Sequence, residues 1–300
     1  MTTVHTTIRH PVSFVSHDLT LAGDLHLPAG HVGPGPAAVV TGSWTTVKEQ
    51  MAGLYAQRLA ERGYVTLSFD FRGYGASEGE PRDVELPAAK VEDISNAVDF
   101  LAGRDEVDAE RIGALAVCAS SGYAAVAATR DDRIRALTLV APWLHDAELV
   151  KPIYGGPEGV RSRVEAGRAA RKRFEATGEV DYVPAVSAED ESAAMFGPFG
   201  YYLDGARGGI PQWGNRFAVM AWPEWLSFDP ISVAPRITVP TTIVHSDDAA
   251  IPEGARRFAE KLEAPHDALW IGGTQFDFYD QEPNVGTSVD AAASHFAARL

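Results

Sequence analysis

Short apolar runs of the buried-strand kind alternate with longer stretches of helical periodicity toward both ends of this chain. That rhythm limits its fold more than any other feature. Residues 12–15 and 19–27 read as strands, and a Gly- and Pro-rich loop over 28–36 leads into the apolar run 37–40. Residues 51–62 place Met51, Leu54, Tyr55 and Leu59 on one helical face, and Gly63 follows as a stop signal. Strand 64–69, helix 86–104 with Ile94, Val98 and Leu101 at helical spacing, strand 111–117, helix 120–128 and strand 134–141 continue the pattern. It resumes with strand 241–244, helix 253–262, strand 268–271 and helix 289–300. Parallel strands need such crossovers, so the expected class is α/β: a mostly parallel central sheet flanked by helices.

The rhythm breaks after Trp143. No clear strand is visible over 145–230, and 158–177 is a charged, helix-favouring stretch. The expected organisation is a core domain of residues 1–144 and 231–300 with a helical cap insertion at 145–230. The insertion is rich in aromatics: Phe196, Phe199, Tyr201, Tyr202, Trp213, Trp222 and Trp225. They form either its own core or the wall of an apolar pocket over the sheet. For the second case Phe196, Tyr201, Tyr202, Trp213 and Trp222 are the candidate pocket residues.

Composition narrows the function. With 41 Asp and Glu against 26 Lys and Arg the formal net charge is −15, a field that repels phosphates. Nucleic acid and anionic membrane surfaces are therefore not expected partners. The single cysteine excludes an intramolecular disulfide. No apolar run approaches the roughly 20 residues of a membrane span. Residues 1–14 carry His5, Arg9 and His10 and lack the apolar stretch of a secretory signal, so a cytoplasmic address is expected. No His/Cys/Asp cluster has metal-ligand spacing, and no Gly-rich phosphate loop opens a helix. The expectation is no metal, no cofactor and a small-molecule substrate, with a homodimer left open.

The segment carrying chemistry is Ala116-Val117-Cys118-Ala119-Ser120-Ser121-Gly122. A sharp turn from strand to helix crowds the backbone and tolerates only small residues two places before and after the exposed side chain. Ala116 and Ser120 meet that demand around Cys118, and the N-terminus of the following helix is expected to favour thiolate. A second frame centres on Ser120. The apolar strand to Val117 favours the first, because it leaves Cys118 at the turn and Ser120 inside the helix.

Here the chain resembles the α/β-hydrolase superfamily, most closely its dienelactone-hydrolase-like and acyl-hydrolase branches, in which a Gly-x-Cys-x-Gly-Gly turn holds a nucleophilic cysteine. Asp70-Phe71-Arg72-Gly73-Tyr74-Gly75-Ala76-Ser77 resembles the superfamily's Asp-x-Arg-Gly-x-Gly-x-Ser loop. Thr41-Gly42-Ser43-Trp44 occupies the place of its oxyanion loop, and Asp248-Ala249-Ala250-Ile251-Pro252 resembles the segment that carries the triad acid. The resemblance implies Cys118 as nucleophile, backbone N–H groups of Ala119 and of Ser43 or Trp44 as oxyanion donors, and Asp248 as acid, with Asp247 as its competitor.

One position departs from that pattern. Gln275 stands in the loop after the last strand, where the resemblance implies the histidine base. An amide can hydrogen-bond but cannot exchange a proton near neutral pH. A thiol depends less on a base than a hydroxyl does, so acylation is conceivable while deacylation by water is hampered. His145, at the mouth of the insertion, is the candidate surrogate base, with His266 at the sheet's other end and His245 in a packing role. Three functions stay open: a hydrolase or acyl-transfer enzyme acting on a fairly apolar ester, thioester or lactone; a non-hydrolytic lyase or cyclase; and a ligand-binding protein without turnover.

Overall fold

The computed structural model describes residues 6–300; positions 1–5, the start of the expected core domain, lie outside the described residues. Eight strands form one sheet: β1 (Thr7–Ser16), β2 (Leu19–Pro28), β3 (Gly35–Thr41), β4 (Val65–Phe69), β5 (Val107–Val117), β6 (Ile134–Val140), β7 (Thr241–His245) and β8 (His266–Trp270). Their spatial order is β1-β2-β4-β3-β5-β6-β7-β8. The β1–β2 and β2–β4 pairings are antiparallel and the remaining five are parallel. β3, β4 and β6 are buried almost throughout, as parallel strands covered on both faces must be. The α/β class and the mostly parallel sheet are as the alternation predicts.

Helices α1 (Met51–Ala60), α2 (Pro87–Ala102), α3 (Ser120–Ala128) and α5 (Pro252–Lys261) connect successive strands, α4 (Gly156–Thr177) lies in the 145–230 segment, and α6 (Asn284–Arg299) follows β8. α2 starts with Pro87, which fits the first helical turn because its missing N–H would be unpaired there anyway. α3 has no polar face, since every residue from Ser120 to Ala128 is buried. It is enclosed by β5, β6, α2 and the 3₁₀ turn Ile231–Arg236. Gly122 is required there, because a Cβ at this position would meet the Phe228 ring at 2.8 Å.

Residues 145–230 are less purely helical than the sequence suggests. Beside α4 and the turns Val150–Ile153, Gly200–Leu203 and Trp222–Ser227, they contain four short strands. Tyr182–Pro184 pairs with Arg216–Ala218, and Val186–Ser187 pairs with Met195–Phe196. Strands of two or three residues carry no readable alternation, which is why the pattern missed them. No helix among the described residues is long and apolar enough to cross a membrane.

Candidate active site

β5 ends at Val117 and α3 begins at Ser120, so Cys118 sits on the tightest turn the two elements allow. Its φ is +60°, in the left-handed region that β-carbon sterics disfavour. The turn is pinned on both sides. Cys118 N–H donates to Val140 O at 3.0 Å, and Cys118 O accepts from Trp143 N–H at 3.0 Å. Ser120, the alternative nucleophile, lies wholly buried in the first turn of α3 with its hydroxyl donating to Val117 O at 3.1 Å.

The thiol faces a cavity of about 570 Å³ between the carboxyl ends of the strands and residues of the 145–230 segment. The polar groups around the sulfur are the hydroxyls of Ser43 and Tyr279 and the backbone N–H groups of Ala119 and Trp44. Burial nevertheless dominates and raises the thiol's pKa above its ordinary value. The expected thiolate is thus not favoured at neutral pH: desolvation outweighs the donors that surround the sulfur. Of the two oxyanion-loop candidates, Trp44 turns its N–H toward the thiol, whereas Ser43 N–H points at Met51 Sδ, 3.4 Å away.

Ser43 Oγ lies 2.9 Å from Tyr202 Oη and 3.0 Å from Tyr279 Oη. Burial pushes both phenols well above their ordinary range, so they are donors at physiological pH, not bases. Sequence reasoning missed Tyr279. The only signal was its position four residues beyond Gln275, one helical turn away, in the short helix Asp277–Asp280.

Gln275 lines the cavity but does not act as a free amide. Its Oε1 accepts from Ala250 N–H at 2.9 Å, and its Nε2 donates to Ala141 O at 2.9 Å and lies 3.4 Å from Tyr279 Oη. It ties the ends of β6 and β7 together. Asp248 lines the cavity too, but its carboxylate has no hydrogen-bond partner among the described residues. Ala250, the donor to the amide oxygen, belongs to Asp248's own loop. Asp247 is bound elsewhere, to Trp270 Nε1 at 2.7 Å and to Arg256.

His145 is not brought to the thiol. It is fully buried outside the cavity wall, packed edge-on to Trp225. Trp143 Nε1 donates to its Nδ1 at 2.9 Å, so the ring's proton sits on Nε2, which donates to Trp225 O at 3.0 Å. Desolvation lowers its pKa to about 4. A ring with both nitrogens engaged has no lone pair for a thiol or a water. His245 is also buried, edge-on to Trp270, with a pKa lowered by desolvation to about 4. His266 opens β8, remote from the cavity, with Nδ1 against Ala264 O.

Of the predicted pocket aromatics, Phe196 and Tyr202 line the cavity, joined by Phe199 and Trp225. Tyr201, Trp213 and Trp222 stand one layer behind. Tyr201 packs edge-on to Tyr279 at 5.0 Å, Trp213 against Tyr202 at 5.3 Å, and Trp222 against Trp44 at 6.0 Å. Trp213 also donates from Nε1 to Thr45 O at 2.8 Å, which holds the oxyanion-type loop from above.

That loop is braced from below by a buried ionic cluster. Tyr123 on α3 and Tyr74 donate hydroxyls to Glu85 at 2.6 and 3.1 Å, and Lys90 on α2 pairs with Glu85 at 2.7 Å. Lys48 and Gln50 are buried as well. Lys48 Nζ lies 2.9 Å from Asp70, and Gln50 Nε2 donates to Gly208 O. Glu49 pairs with Lys48 and stays out of the cavity. Arg72 braces its loop against Asp93. No group of His, Cys, Asp and Glu among the described residues is arranged to hold a metal.

The chain is 31% identical over 267 residues to the uncharacterized protein YcjY of Escherichia coli K12, covering 85% of each chain. It is 47% identical over 122 residues to protein PA2218 of Pseudomonas aeruginosa, but that match spans only 40% of this chain and 33% of the relative. The crystal structure of PA2218 superposes with a TM-score of 0.88 at 29% identity, covering 98% of this chain and 94% of that one. Thiohydrolase aneE of Aspergillus aculeatus is 33% identical over 59% of this chain and 55% of its own length. Acyltransferase drtE of Aspergillus calidoustus is 34% identical over 43% of this chain and 41% of its own. Residues 25–280 match the profile of the alpha/beta hydrolase family, a span that runs from β2 to the short helix bearing Tyr279. Sheet order, the turn at Cys118 and this match agree, and the chain belongs to the alpha/beta hydrolase family.

Proposed function

We propose that this protein is an acyl-transfer enzyme in which Cys118 takes the acyl group of a fairly apolar ester, thioester or lactone. The observation that carries the reading is the position of the Cys118 thiol at the wall of an apolar cavity, faced by the N–H groups of Ala119 and Trp44. Two backbone donors at the attacking atom are where the oxygen of a tetrahedral adduct would collect its negative charge. The names thiohydrolase and acyltransferase borne by relatives support the same class of reaction.

In the first half-reaction the sulfur bonds to the carbonyl carbon and the bond to the leaving group breaks. The thiol proton leaves through the Ser43 and Tyr279 hydroxyls and ends on the departing oxygen or sulfur, so an ester or thioester releases a neutral alcohol or thiol, while an opened lactone keeps its hydroxyl on the acyl chain. In the second half-reaction an acceptor O–H, N–H or S–H takes the acyl group and returns its proton to the sulfur. Water is the poorest acceptor, because no imidazole stands at Gln275 to remove its proton. Residues 145–230 act as a cap that keeps the acyl chain dry. A reactive aryl ester should give a burst of alcohol release followed by slow turnover, with the acyl adduct on Cys118 visible by intact mass. Cys118→Ala should abolish both; a burst that survives this change overturns the reading.

The raised pKa of the thiol favours a second reading, a lyase or cyclase in which Ser43, Tyr202 and Tyr279 polarise a carbonyl without a covalent step. It requires that conversion of the substrate survive Cys118→Ala nearly intact.

A further inference from the structure

We infer that the cavity accepts a substrate with an anionic group at the end remote from its reacting carbonyl, and that Arg163 binds this group. The inference rests on the acyl-transfer reading for the place of the carbonyl.

Arg163 lies on α4 and is the single cation among the residues that line the cavity. Its guanidinium lies 5.3 Å from the Tyr154 ring centre and 5.4 Å from that of Trp222. Nη1 donates to Tyr154 O at 3.0 Å and to Gly159 O at 3.2 Å. These contacts fix the group while leaving Nε and Nη2 without an acceptor among the described residues. No carboxylate of the described residues lies within salt-bridge reach of it. That is not for lack of partners: acids outnumber bases by 41 to 26, and neighbouring Arg161 on the same helix is paired with Glu158. An arginine lodged between two aromatic rings set at 75° to each other, with Nε and Nη2 free on an apolar wall, is built for a planar or tetrahedral oxyanion.

The rest of the cavity restricts where an anion can sit. Asp248 and Glu191 also line it, and each repels a like charge in its own vicinity. Between the thiol and Arg163 lie aromatic rings: Trp44 packs on Trp225 at 5.2 Å, and Trp225 Nε1 donates to Tyr154 Oη at 2.8 Å. The sequence of surfaces from Cys118 outward is thus carbonyl site, apolar shelf, cation. Two molecules share the matching chemistry. One is an acyl chain ending in a carboxylate; the other is a neutral acyl chain on a leaving group that carries phosphate.

The test uses the full chain carrying Cys118→Ala, so that binding is read without turnover and a failure of acyl transfer does not decide the result. The probes are monomethyl esters of linear dicarboxylic acids of increasing length, each compared with its dimethyl ester, by calorimetry. A second pair compares a butanoyl thioester of coenzyme A with that of N-acetylcysteamine. In at least one pair the anionic member should bind at least tenfold more tightly. Adding Arg163→Gln should reduce that ratio at least tenfold, and Arg163→Lys, which keeps the charge but not the fork, should leave an intermediate ratio. Preference in the first pair places the anion on the acyl chain, and in the second on the leaving group. Equal binding in both pairs, or a preference untouched by Arg163→Gln in protein that melts as a folded chain, overturns the inference.

Discussion

The carboxylate of Glu85 accepts the backbone N–H of Thr45 at 3.1 Å. Thr45 has a φ of +60°, a strained value for a threonine, and follows directly on Trp44, whose N–H faces the Cys118 thiol. A fully buried anion thus holds a strained turn whose neighbour supplies a donor at the reacting sulfur.

Glu85→Gln keeps an oxygen acceptor but strands the buried Lys90 ammonium, at a cost of about 3–5 kcal/mol in stability. The burst rate on an aryl ester should fall about tenfold, as expected for displacing one of two oxyanion donors partway. The double variant Glu85→Gln, Lys90→Met removes the stranded charge. It should regain most of the lost melting temperature while the burst stays slow. If the burst recovers together with stability, Glu85 acts on folding alone.

Gln275→His places an imidazole near Tyr279, in the cavity wall that Asp248 also lines. The slow phase after the burst should accelerate by about 10² or more, the usual contribution of a positioned base. The change also removes the tie between Ala141 O and Ala250 N–H, so a modest drop in melting temperature accompanies it. An unchanged slow phase in folded protein would show that something other than proton removal from water limits turnover.

Burial raises the pKa of Cys118, so its thiolate fraction at neutral pH is below that of a free cysteine. Alkylation by iodoacetamide, followed by intact mass, should be slow at pH 7. It should keep rising with pH through the range in which a free thiol has levelled off. A plateau near pH 7 would mean that the surrounding donors outweigh desolvation after all.

His145 and His245 carry pKa values lowered to about 4, against 6.5 in an unfolded chain. Each therefore stays neutral in the fold at a pH where the unfolded chain is already protonated. Stability is retained above pH 6.5, falls as pH drops from 6.5 toward 4, and levels off below that. For fully buried His145 the shift corresponds to about 3 kcal/mol. His145→Asn should flatten the acid side of a plot of melting temperature against pH. It should also leave the Cys118 burst far less impaired than Cys118→Ala does. A loss of turnover as deep as that of Cys118→Ala would restore His145 as a base.

Much of the core was legible because its signals are local. Strand 134–141 differs from β6 by one residue at its end, and helix 120–128 coincides with α3. The turn at Cys118 followed from small residues at Ala116 and Ser120, and the resemblance pointed to Asp248, which lines the cavity. What failed depends on tertiary placement. His145 reads as a loop histidine at the mouth of an insertion; only the fold shows Trp143 and Trp225 closing over both its nitrogens. Tyr279 and Arg163 reach the cavity from distant parts of the chain, and no pattern in sequence joins them. The thiol's ionisation was misjudged because a helix N-terminus is visible in sequence and desolvation is not.

Residues 145–230 touch the chemistry through bonds as well as through walls. Tyr202 reaches Ser43, Trp213 holds Thr45 O, and Gly208 O receives Gln50 at the foot of α1. Separating this segment from the core would break those bonds and release the strained turn at Thr45 on one side. The segment therefore holds the turn beside Cys118 in place as well as walling the cavity. Excising the segment would not leave a smaller, more permissive enzyme, because the turn beside Cys118 would lose half of what holds it.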